Sequence, residues 1–275
     1  MSQVWFITGA NRGIGAHVAQ AALRAGHRVV ATGRKLEQLR TTYPDADNVL
    51  LAELDVTRPD QAEAAVGAAL ARFGRIDVLV NNAGYGLLGN FEEIDAQAIE
   101  AQFATNVFGQ MHVTRAVLPA MRRQRSGHVF NLSSVGGVLG FEGASVYCAT
   151  KYAVEGLSAS LAPELARFGI HVTAVEPGFF RTDFLDGSSI RYGSQVIDDY
   201  GSGAVKAEYD DYSHRQPGDP AKLGAALVQL AGMDAPPTQF AAGSDALGMV
   251  TGALEGRLAE LRAFATLTAS LDHAA

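Results

Sequence analysis

A tyrosine and a lysine lie four positions apart in the segment GASVYCATKYAVEGLSASL, residues 143 to 161. On a helix, Tyr147 and Lys151 would share one face, with their Cβ atoms roughly 5–6 Å apart. A free phenol, with a pKa of about 10, releases its proton reluctantly at neutral pH, and a neighbouring cation favours the phenolate. The pair therefore predicts either an acid–base catalyst or an ordinary packing contact. Ser133 and Ser134 are both candidates to donate a hydrogen bond to the substrate oxygen with which such a phenol would exchange its proton.

A glycine-rich turn, TGANRGIG, covers residues 8 to 15 between the first predicted strand and the first predicted helix. Gly9, Gly13 and Gly15 permit a tight turn and a close approach to a pyrophosphate, whose charge then meets the helix N-terminus. Such a turn can also bind nothing, because a lone glycine pattern is weakly specific. Its place at the first strand of a βαβ chain favours a dinucleotide site.

The residues after the second predicted strand indicate which dinucleotide binds. NAD sites usually offer a carboxylate there, whereas sites for a 2′-phosphate offer an arginine. Here Arg34 follows the strand and Arg12 lies in the glycine turn, so no carboxylate repels a phosphate. Arg34 is alternatively a solvated residue at the start of a helix. We expect NADP(H) to be preferred over NAD(H).

Polar residues end two further predicted strands, at the sheet edge where ligands bind. Asp55 either accepts a hydrogen bond from an adenine amino group or caps the following helix, and the residue type does not decide between them. The NNAG motif, residues 81 to 84, either leaves room for a cofactor or forms a plain turn.

These candidate residues require elements that bring them to one edge. Short apolar runs alternate with longer helical segments, which indicates βαβ crossovers and a parallel sheet covered on both faces. The predicted strands cover residues 4–9, 28–33, 49–56, 76–84, 127–134, 171–178 and 238–244. The predicted helices cover residues 14–25, 35–42, 59–73, 95–123, 147–168 and 220–232. The expected fold is a single α/β domain over residues 1–275, with a doubly wound, seven-stranded parallel sheet.

Two segments depart from this rhythm. Residues 185–218 are rich in Gly, Ser, Asp and Tyr and weakly periodic, which predicts a substrate lid or a disordered loop. Residues 247–271 carry apolar residues at helical intervals, which predicts a C-terminal amphipathic helix. That helix would pack on its own domain or on a second subunit.

The composition argues against several classes of protein. A net charge of -7 disfavours binding to a nucleic-acid backbone. The single cysteine, Cys148, excludes an intrachain disulfide framework and multi-cysteine metal sites, and the histidines lack zinc-ligand spacing, so we expect no catalytic metal. The sequence shows neither a signal peptide nor about 18 uninterrupted apolar residues. We expect a cytoplasmic protein that binds no membrane.

The order and spacing of these motifs resemble the short-chain dehydrogenase/reductase family, over roughly residues 4 to 245. Ser134 stands thirteen positions before Tyr147, and Pro177-Gly178 ends the sixth predicted strand. The chain is most similar to the branch of 17β-hydroxysteroid-dehydrogenase-like carbonyl reductases. The resemblance implies a Rossmann fold.

The resemblance also implies roles for four catalytic residues. Tyr147 would be the general acid in reduction and the base in oxidation, while Lys151 would hold the nicotinamide ribose and tune the tyrosine. The family spacing selects Ser134 over Ser133 as the donor to the substrate oxygen. Asn106 would organise a proton-relay water, or would be a buried amide tied to the backbone.

The other expected site residues contact the cofactor or the substrate. The expected cofactor-binding residues are Gly9, Asn11, Arg12, Gly13, Ile14, Gly15, Arg34, Asp55, Val56, Asn82, Ala83, Gly84, Tyr147, Lys151, Pro177, Gly178 and Thr182. The expected substrate pocket comprises Ser134, Tyr147, Phe179, Phe184 and Tyr192. Thr182 is alternatively a helix cap, and each aromatic residue is alternatively part of the core.

The sequence therefore predicts an NADP(H)-dependent oxidoreductase that reversibly reduces a ketone or aldehyde, as a homodimer or homotetramer. One alternative is a nucleotide-sugar epimerase or dehydratase, against which stand the TGxxxGxG spacing and the lack of a sizeable C-terminal sugar-binding region. The other is a non-catalytic NADP(H)-binding sensor, which would have no need to retain Ser134, Tyr147, Lys151 and Asn106 together.

Overall fold

Nine strands are found in the computed structural model, which describes residues 2–187, 189–201 and 203–273. They are β1 (Val4–Ile7), β2 (Arg28–Gly33), β3 (Val49–Glu53), β4 (Val78–Asn81), β5 (Gly86–Leu88), β6 (Gly127–Leu132), β7 (Ile170–Pro177), β8 (Ile190–Tyr192) and β9 (Gln239–Ala242). Seven of them form one parallel sheet in the order β3-β2-β1-β4-β6-β7-β9. The seven predicted strands and their parallel arrangement are thus confirmed.

Helices occupy all the predicted places between the strands, and one further helix lies in the segment that was expected to be irregular. They are α1 (Gly13–Arg24), α2 (Leu36–Thr42), α3 (Pro59–Phe73), α4 (Ala96–Phe103), α5 (Gly109–Gln124), α6 (Ser145–Ala166), α7 (Ala204–Tyr212), α8 (Pro220–Ala231), α9 (Ser244–Ala263) and α10 (Ala265–Ala269). A π-helical turn, Ala104–Phe108, joins α4 to α5 where one unbroken helix was expected.

The alternation of side chains along β1 explains why the sheet has a core on each face. Trp5 and Ile7 pack in the cluster formed with α1 and α8, whereas Val4 and Phe6 pack in the cluster formed with α3 and α5. All four are fully buried. Because helices cover both faces, the strands are apolar at almost every position.

Residues 185–218 are more ordered than their composition predicts. Strand β8 pairs in parallel with β5 to form a separate two-stranded sheet, and α7 packs beside them. A Cβ on Gly143 would lie 2.5 Å from the Val205 side chain, so α7 fits closely against the loop before α6. Leu185, Ile190 and Tyr209 of this segment line a cavity at the carboxyl ends of the main strands.

The C-terminal helices follow β9 near the predicted position, residues 247–271. Only Ala246 of α9 is buried, and every residue from Leu254 to His273 is exposed. The expected alternative in which this helix packs on its own domain is therefore wrong beyond Leu254. Within the described ranges, no helix combines the length and the apolarity needed to cross a bilayer.

Candidate active site

A cleft opens along the sheet edge where β1, β2, β4, β6 and β7 end. Its volume is about 890 Å³, within the size range of cofactor and ligand pockets. The expected site residues that line it are Gly9, Asn11, Arg12, Gly13, Ile14, Arg34, Asp55, Val56, Asn82, Ala83, Gly84, Ser134, Tyr147, Lys151, Pro177, Gly178, Phe179, Thr182 and Phe184. Gly15, Asn106 and Tyr192 do not line the cleft.

Tyr147 and Lys151 reach the cleft from α6. The Lys151 Nζ atom lies 5.6 Å from the centre of the Tyr147 ring and donates a 2.7 Å hydrogen bond to the Leu132 carbonyl oxygen at the end of β6. Ser134 lies beside the Tyr147 phenol, and its hydroxyl acts to lower the pKa of that group. The first two turns of α6 and the residues after β6 thus hold a phenol, a hydroxyl and an amine at one point of the cleft wall.

Burial governs the ionisation of these groups. Loss of solvent raises the pKa of Tyr147 above its usual value, and the hydrogen bond from Ser134 opposes that rise. Loss of solvent lowers the pKa of Lys151 to about 8, while the nearby Glu155 raises it. The expectation that Lys151 keeps the pKa of Tyr147 low is therefore not met by the chain alone. A positive charge that a ligand brings to the phenol would shift the balance toward the phenolate.

The two candidate serines have different surroundings. The Ser133 side chain is buried and donates a 3.5 Å hydrogen bond to the Lys151 carbonyl oxygen. The Ser134 hydroxyl accepts a 3.1 Å hydrogen bond from the Gly136 amide and contacts Tyr147. Ser134 is therefore placed beside the phenol, and Ser133 anchors β6 to α6.

Asn106 lies in the π-helical turn and is fully buried. Its Oδ1 atom accepts a 3.1 Å hydrogen bond from the Tyr85 amide, and its Nδ2 atom donates to the Tyr85 carbonyl oxygen at 3.0 Å. Nδ2 also donates to Thr150 Oγ1 at 3.2 Å, and that hydroxyl donates to the Tyr147 carbonyl oxygen at 2.7 Å. Asn106 is thus a buried amide that is tied to the backbone, as one of its two expected roles requires. Its other expected role, in a proton relay, stays a prediction.

The glycine turn has a shape that a pyrophosphate fits. Gly9 and Gly13 have φ angles of 64° and 56°, in the left-handed region that favours glycine. A Cβ on Gly15 would lie 2.4 Å from Asn82 Nδ2 and 2.5 Å from the Gly9 carbonyl oxygen, so a larger residue would open the turn. Helix α1 has no acidic residue in its first turn, and its N-terminus is suited to an anion. These residues fit a dinucleotide phosphate.

Arg34 and Asp55 mark the end of the cleft farthest from Tyr147 in the predicted binding mode. Arg34 follows the last residue of β2 and is exposed. Asp55 Oδ1 accepts hydrogen bonds from the Thr57 amide and hydroxyl at 3.0 and 2.7 Å. Asp55 thus stabilises the turn before α3 while also lining the cleft. The N-cap of α3 is Arg58, so the capping role is wrong and the adenine contact stays a prediction.

Thr182 and two of the expected pocket aromatics lie at the mouth of the cleft. Thr182 Oγ1 accepts a 3.3 Å hydrogen bond from the Phe184 amide, as its alternative role of a cap requires. The Phe184 ring centre lies 5.8 Å from that of Tyr147, and Phe179 packs edge-to-face on Tyr212 of α7 at 5.0 Å. Tyr192 does not line the cleft. It packs, as Tyr147 and Phe184 do, against the apolar cluster around the β5–β8 sheet, and its place in the substrate pocket stays a prediction.

Sequence reasoning missed several residues that segment 185–218 contributes to the cleft. They are Leu185, Gly187, Ser189, Ile190, Arg191, Tyr209 and Gln216. Gln216 is 2% exposed, and its Oε1 atom has no hydrogen-bond partner among the described residues. The available signal was the helical spacing of Val205, Tyr209 and Tyr212, which the surrounding Gly, Ser and Asp obscured.

Asp183, Asp186 and His214 form a cluster that no sequence motif indicated. Their ligand atoms lie within 4.8 Å of one another, and His214 Nε2 is 3.1 Å from Asp186 Oδ1. Asp183 and His214 are exposed, and exposed acidic groups of this kind are common without an ion. The cluster ties the residues after α7 to the loop after β7, and the expectation of no catalytic metal stays a prediction.

Known proteins resemble this chain over most of its length. A family model described as short chain dehydrogenase matches residues 3–191. Oxidoreductase BOA17 of Botryotinia fuckeliana (strain B05.10) is 41% identical over 251 residues, covering 90% of this chain and 91% of that protein. The 3-ketodihydrosphingosine reductase of Bacteroides thetaiotaomicron is 36% identical over 236 residues, covering 86% of each. The crystal structure of a short-chain dehydrogenase from Streptomyces avermitilis is 39% identical with a TM-score of 0.90, covering 99% of this chain and 100% of that one.

These similarities agree with the parallel sheet, the glycine turn and the cleft described above. The narrower resemblance to 17β-hydroxysteroid-dehydrogenase-like carbonyl reductases stays a prediction. The family model covers more than half of the 275 residues, and the chain belongs to the short-chain dehydrogenase family of oxidoreductases, which bind a nicotinamide cofactor.

Proposed function

We propose that this protein is an NADP(H)-dependent carbonyl reductase that reversibly converts a moderately large apolar ketone or aldehyde to the alcohol. The observation that carries the proposal is that Tyr147, Ser134 and Lys151 line one cleft together, with the Lys151 Nζ atom 5.6 Å from the centre of the Tyr147 ring. A phenol, a hydroxyl and an amine at one wall of a cofactor-sized cleft are the donors that carbonyl reduction needs.

Different residues around the cleft would bind different parts of the cofactor. The glycine turn and the N-terminus of α1 would hold the pyrophosphate, and Arg12 and Arg34 would pair with a 2′-phosphate. Lys151 and Thr182 would hold the nicotinamide end, between Pro177-Gly178 and the NNAG motif. When bound, the nicotinamide supplies a hydride to the carbonyl carbon or takes one from the alcohol carbon.

Tyr147 and Ser134 manage the charge that develops on the substrate oxygen. Ser134 donates a hydrogen bond to that oxygen as its negative charge grows. The O–H bond of Tyr147 breaks as the O–H bond of the alcohol forms, and the steps run backwards in oxidation. The Lys151 ammonium stabilises the phenolate left behind, and its hydrogen bond to the Leu132 carbonyl oxygen keeps Nζ near the ring.

The cleft walls favour an apolar substrate. Phe141, Phe179 and Phe184 line it together with aliphatic side chains of segment 185–218. One relative is named for the reduction of 3-ketodihydrosphingosine, which supports a ketone with a long apolar portion. Residues 185–218 would act as the substrate lid, since α7 and β8 cover the reacting groups.

The proposal also covers the oligomeric state and the cellular location of the enzyme. We propose a homodimer or homotetramer in the cytoplasm, in agreement with the single cysteine and the acidic composition. The two rival functions, a nucleotide-sugar epimerase or dehydratase and a non-catalytic sensor of NADP(H), are tested by the experiment that follows.

The test compares Tyr147→Phe with the wild type on NADPH and a panel of aryl ketones, keto esters, steroids and sugar nucleotides. We expect carbonyl-dependent loss of NADPH, and a fall of about 10²–10⁴-fold in kcat for Tyr147→Phe, because that variant has no proton to donate. Binding of NADPH should be nearly unchanged. Tyr152→Phe is the matched control, since Tyr152 lies on the same helix and its hydroxyl bonds to the Val138 carbonyl oxygen.

Each rival gives a different result in that assay. NADPH binding without turnover on any substrate would favour the sensor, and conversion of sugar nucleotides without net loss of NADPH would favour the epimerase. Full activity of Tyr147→Phe on a ketone would refute the role given to the phenol.

A further inference from the structure

The C-terminal helix α9 projects away from the rest of the domain. Its 20 residues give it a length of about 30 Å, and Ala246 is its one buried residue among those described. From Leu254 to His273 every residue is exposed, α10 included. Within the described residues, nothing covers this part of the helix.

One side of α9 is an apolar stripe. Its members recur at intervals of seven, four and three residues, which places them along one face of the helix. Those that are exposed as large hydrophobic residues are Leu247 (62%), Leu254 (57%), Leu258 (45%) and Leu261 (61%), and Phe264 (60%) follows the helix end. A contiguous set of this size on a soluble protein marks an interaction surface.

The composition of α9 indicates that it does not stand free in solution. Gly248, Gly252 and Gly256 recur every four residues, and a Cβ on any of them would meet nothing within 4 Å. Glycine lowers the stability of a helix interior, and isolated helices are marginal even with good helix formers. Packing against another surface is what would hold such a helix together.

The charges of α9 identify that surface as a second copy of the chain. In the stretch LEGRLAELR, residues 254 to 262, Glu255 and Arg262 lie equally far from the midpoint between Leu258 and Ala259, as do Arg257 and Glu260. Each pair joins opposite signs. In an antiparallel helix pair about a twofold axis, residues equally far from the axis come opposite one another.

We propose that α9 pairs with α9 of a second copy in antiparallel orientation, with the twofold axis passing between Leu258 and Ala259. The leucine stripes would interdigitate, and Glu255 would face Arg262 of the partner subunit. Among the described residues, none of these four charged side chains has an ion pair or hydrogen bond within its own chain. All four are therefore available to the partner.

A membrane surface suits this helix less well. Helices that lie on membranes carry a polar face rich in Lys and Arg, whereas here two arginines alternate with two glutamates over residues 255–262. Vesicle binding is therefore kept as an outcome of the test rather than as a second proposal.

The first test measures the molar mass of the full chain by light scattering. We expect Leu258→Asp/Leu261→Asp to have half the mass of the wild type, because both side chains are exposed within the chain and buried in the pair. Unchanged far-UV circular dichroism of the domain and unchanged NADPH binding show that the variant is folded. A monomeric wild type, or a variant with the wild-type mass, would overturn the proposal.

The second test measures orientation and register by disulfide formation. In the antiparallel pair the two Leu258 positions lie within about 2 Å along the axis, whereas two Thr251 positions lie about 22 Å apart. A disulfide requires Cα atoms within about 7 Å, so Leu258→Cys should cross-link two chains and Thr251→Cys should not. The natural Cys148 is only 5% exposed, and the wild-type protein shows how much cross-linking this cysteine produces by itself. Equal cross-linking at both positions would indicate a parallel pair and refute the axis.

Exchanging the charges of Glu255 and Arg262 tests whether a weakened dimer can be restored. Glu255→Arg alone should weaken the dimer, and Glu255→Arg/Arg262→Glu should restore it, because opposite signs again face each other across the axis. Glu63→Arg, on exposed α3, is the control and should leave the dimer unchanged. Failure of the double variant to recover, or co-sedimentation of a monomeric wild type with phosphatidylglycerol vesicles, would count against a second copy as the partner.

Discussion

Arg34 is the residue on which the proposed choice of cofactor depends. Its side chain is exposed at the end of β2 and lines the cleft, where a guanidinium can pair with a phosphate. A charge-assisted hydrogen bond contributes about 1.5–3 kcal/mol, so Arg34→Ala should raise the Kd for NADPH about 10–100-fold and leave the Kd for NADH nearly unchanged.

Titration calorimetry with both cofactors measures this difference. Arg40→Ala on α2 is a suitable control, because Arg40 is exposed and pairs with Glu37. Equal loss of affinity for NADPH and NADH in Arg34→Ala would mean that Arg34 does not contact the 2′-phosphate.

Glu176 makes the folded protein less stable as the pH rises. It is a buried carboxyl group on β7, and burial, followed by repulsion from Glu155, raises the pKa of Glu176 to about 7. The folded state therefore favours the protonated form. The stability that this protonated carboxyl contributes is fully present below about pH 4.5, the pKa of Glu176 in the unfolded chain. It is lost as the pH rises toward 7.

Glu176→Gln removes this pH dependence, because the amide cannot ionise. We expect the variant to match the wild type near pH 4.5 and to be more stable above pH 7, by on the order of 1–3 kcal/mol. Urea unfolding across that range measures the difference, with the exposed Glu164→Gln as control. A variant whose free energy of unfolding parallels the wild type at every pH would show that Glu176 is ionised in the folded protein.

The sequence predicted the positions of the reacting groups better than their ionisation. Helical spacing alone brings Tyr147 and Lys151 to one face, and the end of β6 adds Ser134. The direction of the Tyr147 pKa, by contrast, depends on how far solvent is excluded, which neighbours in the sequence do not reveal. The same limit applies to Tyr192, because its residue type does not reveal whether the ring faces the cleft or an apolar cluster.

At the scale of elements, the sequence predicted all seven strands of the main sheet but placed several ends too late. The predicted strands 4–9, 49–56 and 76–84 end at Ile7, Glu53 and Asn81 in the structure. The overshoot falls on residues that line the cleft, such as Gly9 and Asp55. The apolar neighbours of these residues, such as Leu54 and Val56, extend the strand pattern by type, although the chain has already left the ladder to face the ligand site.

Two elements gave no local signal of their own. The strands β5 and β8 have three residues each and pair across a long stretch of chain, so neither is recognisable without the other. The π-helical turn at Asn106 also follows from tertiary contacts, since the Tyr85 backbone and Thr150 hold its amide. Such turns are often found at functional sites, and this one supports the helix that carries Tyr147.

At the scale of the molecule, the cleft joins segments that are far apart in the chain. Its lining runs from Gly9 in the first βα turn to Gln216 beyond α7. A bound cofactor would therefore link the start of the fold to the segment that covers it. Ligand binding should consequently stabilise the domain as a whole rather than one loop.

NADPH should raise the free energy of unfolding of the whole domain. A ligand that binds only the folded state at 100 times its Kd adds about 2.7 kcal/mol, and Tyr147→Phe should keep this increment because the phenol acts on the substrate. Gly15→Ala should lose it, since a Cβ there would lie 2.5 Å from the Gly9 carbonyl oxygen and open the phosphate turn. Gly67→Ala is the matched control in α3, where a Cβ meets nothing within 4 Å. Urea unfolding with and without NADPH measures all four proteins, and an increment retained by Gly15→Ala would contradict the assignment of the glycine turn to the cofactor.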